Sequence, residues 1–61
     1  MEALEKYIVT NLAKKLNIKE YHAALELFRT KYRFNSAIEL VETAIFICKS
    51  NAAQLKAHFK I

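Results

Sequence analysis

The stretch FNSAIELVETAIFICKSN, residues 34–51, decides how this chain folds. Between Ala37 and Cys48 only Glu39, Glu42 and Thr43 are polar, so a helix through it is apolar around most of its circumference. Ser36 followed by Glu39 has the spacing of a capping box and marks the helix start; Asn51 followed by Gln54 repeats that spacing at the start of another helix. So apolar a helix predicts neighbours on several sides. It is expected at the centre of a bundle, with Ile38, Val41 and Ile45 facing inward.

Working outward, the rest of the chain reads as helix too. Leu4, Ile8, Leu12 and Leu16 recur at i, i+4 with Val9 beside them, and Tyr21, Leu25, Phe28 and Tyr32 line one face with Ala24 at its edge. Leu55 and Phe59, with Ala52, offer a narrow third face. With no Gly and no Pro, the turns fall to Asn17, Asn35 and Asn51, which tolerate turn conformations and cap helices. The expectation is all-α: one domain over residues 1–61, built of four short helices at 2–16, 19–33, 37–49 and 52–60.

Length limits what such a bundle can do alone. A domain of 61 residues buries only about 60% of the surface its unfolded chain exposes, and small scaffolds usually need a staple. A disulfide within the chain is excluded, because Cys48 is the only cysteine. Zinc is not expected either: Cys48, His22 and His58 include no pair at the close spacing of structural sites. Association, with itself or with another protein, is the remaining supplement. A lone thiol, the absence of any 18-residue apolar run, and an N-terminus without the layout of a secretory signal point to a soluble cytoplasmic protein with no membrane partner.

The stretch from Tyr21 resembles one helical hairpin of the tetratricopeptide repeat, over about Asn17 to Asn51, a step of 34 residues. Tyr21 stands at the repeat's Trp, Ala24 at its Leu, and Phe28 at its first Tyr. Ala37, Val41 and Ala44 stand at the small, aromatic and small positions of its second helix. Leu25 departs from the usual small residue, and Lys49 from the usual Pro. The resemblance implies an αα-hairpin used for binding protein.

The net charge of +4 leaves two readings open. Lys14, Lys15 and Lys19 near the first turn, with Arg29 and Arg33 near the second, could contact nucleic acid through a helix-turn-helix over residues 12–33, acting as a dimer. The same cations sit at helix C-termini while Glu2, Glu5, Glu20 and Glu39 sit in first turns, the arrangement that complements helix dipoles. The register of the motif slips where Glu26 falls on an inward position.

No catalytic constellation can be assembled. All six acids are Glu and none are paired, no nucleophile has an adjacent base, and no glycine loop exists to hold phosphates. No enzyme activity, cofactor, metal or small-molecule substrate is expected, and Cys48 reads as a small core hydrophobe. The expected function is binding of another protein, as a regulator, inhibitor or adaptor and as a homo-oligomer, with DNA binding the alternative. Phe46, which interrupts the polar stripe of 37–49, is the expected anchor, with Tyr7 and Glu42 as further interface residues.

Overall fold

The computed structural model describes residues 2–61, and of Glu2 only the backbone, so the first-turn charge expected there lies outside the described residues. Among the described residues there are four helices and no strand: α1 (Glu2–Leu16), α2 (Tyr21–Lys31), α3 (Ala37–Lys49) and α4 (Ala52–Phe59). None is long and apolar enough to cross a membrane. Their radius of gyration, 10.6 Å, matches the roughly 10.5 Å of a compact 61-residue fold.

The centre of the bundle is α1. It packs against each of α2, α3 and α4. Ile8, Val9, Leu12 and Leu16 are buried along it and meet Ala24 and Phe28 of α2, Leu40 and Ile47 of α3, and Leu55 and Phe59 of α4 in one core. Each large aliphatic or aromatic side chain so buried contributes about 1.5–3 kcal/mol.

This corrects the expectation that 37–49 is central. α3 reaches the core along one stripe, Leu40, Ala44 and Ile47. Ile38, Val41 and Ile45, expected inward, are turned away from that stripe and are exposed. The cause is tertiary: α2 and α4 dock on α1, the longest helix, so only one side of α3 finds a broad partner.

The turns are built without glycine. At the end of α1, Asn17 takes left-handed backbone (φ 57°), and the Ile18 N–H donates to the Ala13 carbonyl at 2.8 Å, closing a Schellman turn. The end of α4 repeats it: Lys60, expected as the last helical residue, is left-handed (φ 62°), and the Ile61 N–H reaches the Lys56 carbonyl at 3.0 Å. Asn51 and Gln54 form the expected capping box at α4, both bonds at 2.8 Å. At α3 the Glu39 N–H donates to Ser36 Oγ at 3.3 Å as expected, while the Glu39 carboxylate reaches back one residue further, to the Asn35 N–H at 2.7 Å.

The second helix is shorter at both ends than the expected 19–33. Glu20 is extended and makes no side-chain cap, and Tyr32 is extended as well. Residues two apart never share a helix face, so a continuous helix would separate Tyr32 from Phe34. Unwinding at Tyr32 lets the two rings stack at 6.0 Å, with Phe28 5.1 Å from Tyr32 and 5.6 Å from Phe34.

Two isoleucines of α3 separate core from surface. Ile47 is 0% exposed and Ile45 49% exposed. In dilute solution Ile47→Ala is expected to lower unfolding stability by about 2–5 kcal/mol, and Ile45→Ala by less than about 1 kcal/mol, read from urea denaturation. Equal losses would mean that α3 is rolled differently about its axis.

Candidate functional site

The outward face of α3 carries three of the six exposed large hydrophobic residues among the described residues. Ile38 is 71% exposed, Val41 45% and Ile45 49%, and Cys48 continues the same line one turn on. The residues follow at steps of three, four and three, so they form one stripe, turned about 110° around the helix from Leu40, Ala44 and Ile47. Single exposed aliphatics are ordinary on protein surfaces; three in a row on one helix face form a patch.

The stripe has two different edges. On one side lies α1, where Asn11 Nδ2 sits 4.0 Å from Cys48 Sγ. Tyr7, one turn before Asn11 on the same side of α1, is exposed. On the other side Glu42 and Lys49 run along α3, both exposed. Beyond them comes Phe46, whose ring rests 4.9 Å from the His58 ring of α4 and is 41% exposed. Glu42 and Phe46, singled out in the sequence, thus lie to its polar side, and Tyr7 lies exposed on α1. They do not form it.

The roll of α3 that presents this stripe is fixed from behind. The Lys15 ammonium donates to the carbonyls of Ile47 (2.7 Å), Cys48 (2.8 Å) and Ser50 (2.9 Å). Three donors meet three acceptors at the negative end of the α3 dipole. Ser50, buried, returns its own hydroxyl to the Phe46 carbonyl at 2.7 Å.

The other basic residues singled out in the sequence border two depressions, Lys14 with Lys19 and Arg29 with Arg33. Arg29 Nη2 pairs with Glu5 Oε1 at 2.9 Å. Lys14 and Lys19 border a shallow depression by Tyr21 at the α1–α2 turn. Arg33 borders another, with Arg29 and His22, along α2. Lys15 is committed to the end of α3.

Where α2 and α4 meet, Tyr32 Oη and His58 Nε2 lie 2.9 Å apart, with the two rings stacked at 5.7 Å. Burial raises the Tyr32 pKa above its ordinary 10.0 by disfavouring the phenolate. No three His, Cys or Glu side chains converge anywhere among the described residues.

The stripe Ile38–Val41–Ile45 is read from the sequence as inward, not as surface, because its spacing is like that of the buried stripe on the same helix. The commitment of Lys15 to three carbonyls, which breaks the tie, leaves no sequence signal. No family model matches the chain, and no curated protein and no solved structure matches it.

The Tyr32 environment fixes a sign. The folded state holds the phenol proton more tightly than the unfolded chain, so its contribution to stability is complete below pH 10.0 and is lost as pH rises through the raised pKa. Thermal melts between neutral pH and the alkaline range are expected to show this loss, and Tyr32→Phe to abolish that part of the slope. An unchanged slope in Tyr32→Phe would assign the loss to other groups.

Proposed function

We propose that this chain is a non-enzymatic protein-binding module, a regulator, inhibitor or adaptor, whose contact surface is the outward face of α3 and which works as a homo-oligomer. One observation carries the reading: Ile38, Val41 and Ile45 stand exposed in a line on the side of α3 away from the core. Burying such a stripe against a partner recovers hydrophobic free energy at about 25 cal/mol per Å², which folding alone leaves unused. Phe46 at its margin and Tyr7 exposed on α1 are aromatic residues of the kind enriched at interfaces, and Glu42 lies in the polar edge. The short core supports the same reading, since a domain this small gains more from association than a large one.

A photoreactive side chain placed at position 45, in the full chain at its natural level in its own cells, is the direct test. Position 45 is expected to join covalently to a second polypeptide, and position 31, exposed on α2, is not. Absence of any adduct at 45, or equal adducts at 31, would contradict the reading.

A further inference from the structure

We infer that the polypeptide covering the α3 face is a second copy of this chain, packed antiparallel about a two-fold axis at the level of residue 43. The inference rests on the protein-binding reading and names its partner. Ile38, Val41, Ile45 and Cys48 occupy successive a and d positions of a heptad, the pattern that seats one helix against another. An antiparallel pair centred at residue 43 sets Val41 against Ile45 of the second copy and Ile38 against its Cys48. The same surface then serves both copies, as a two-fold interface requires.

The charges on the polar edge choose the direction. Glu42 and Lys49 lie one heptad apart, both at the position that follows d, and neither has a side-chain hydrogen bond or ion pair among the described residues. In an antiparallel pair this edge faces its own counterpart: the two Glu42 side chains straddle the two-fold axis, about two residues apart along the helix, and lean away from each other, while Glu42 of each copy approaches Lys49 of the other. In this register the two residues are offset by about five residues, roughly 7.5 Å along the axis. Helix side chains lean toward the N-terminus of their own helix, which here tilts each toward the other across that offset. A parallel pair would turn this edge toward Ala37 and Ala44 of the other copy and leave both charges without a partner.

Two further features suit a second copy. Ala44, on the opposite edge, packs against the core, which leaves the Glu42–Lys49 edge as the charged margin open to a second copy. The chain carries 10 basic against 6 acidic residues, but α3 carries Glu39 and Glu42 against Lys49, which is 1 − 2 = −1. Two copies of a cationic protein therefore meet at its least cationic helix. A face of 13 residues, about 20 Å long, is small for a specific interface, so the dimer is expected to be reversible.

Sedimentation equilibrium on the purified full chain tests this, with circular dichroism to confirm that each variant is folded. The wild type is expected to show a concentration-dependent monomer–dimer equilibrium. Glu42→Lys and Lys49→Glu, each alone, should weaken it about tenfold, because both pairs become like-charged. An equimolar mixture of the two variants should recover wild-type association, since two lysines on one copy then face two glutamates on the other. A wild type that stays monomeric at millimolar concentration would overturn the inference, as would a mixture that associates no better than either variant. If the wild type is monomeric while position 45 still crosslinks to a different polypeptide, the second copy and the homo-oligomer part of the proposed function are both wrong, and the protein-binding part stands. No adduct at all removes both.

Discussion

The Lys15 ammonium, bonded to the carbonyls of Ile47, Cys48 and Ser50, sets the arrangement of the second half of the molecule. A helix end leaves carbonyls without intrahelical partners, and a chain lacking glycine has few ways to satisfy them. At the ends of α1 and α4 this is done by left-handed Asn17 and Lys60. At the end of α3, Lys15 does it from another helix. Hydrogen bonds to a charged group are worth more than neutral ones, about 1.5–3 kcal/mol, and these also tie α3 to α1 at one rotation about its axis. The turn into α4, only Ser50 and Asn51 long, starts from the same point.

That rotation decides the fate of two apolar stripes. Leu40, Ala44 and Ile47 meet the core, while Ile38, Val41 and Ile45 are carried to the outside. With α1 meeting three neighbours and α3 only one broadly, the molecule covers the sides of its longest helix and leaves its most apolar helix half bare. What folding leaves unburied on α3 is the basis for reading the protein as a binding module, and the paired signs of Glu42 and Lys49 are the basis for making its partner another copy.

Much of the fold was legible in the sequence, because its signals are local. Capping residues Ser36 and Asn51 marked helix starts that the structure reproduces, and the i, i+4 run through Leu12 marked the buried side of α1. The shorter α2 was less legible. Its C-terminal end depends on where the Tyr32 and Phe34 rings settle against Phe28 and, for Tyr32, on His58 and Phe59 of another helix. The candidate site was least legible of all. Two stripes of like spacing on one helix give periodicity no basis for choosing between them, and the residue that chooses lies 32 positions from Ile47 in the chain. Lys15 read as one cation among several; its carbonyl partners appear only in three dimensions.

Thiol labelling at two positions within one turn of α3 tests most directly whether Lys15 turns Ile47 inward and Ile45 outward. In a Cys48→Ser background, Ile45→Cys and Ile47→Cys each provide one reactive site, followed at concentrations dilute enough to keep the chain monomeric. The thiol at 45 is expected to react nearly as fast as in unfolded chain. The thiol at 47 should react at least roughly a hundredfold more slowly, because it is reached only through opening of the structure. Adding Lys15→Met should erase much of that difference while the far-ultraviolet spectrum stays helical. Equal rates at 45 and 47 with Lys15 intact, or faster reaction at 47, would contradict this arrangement of α3.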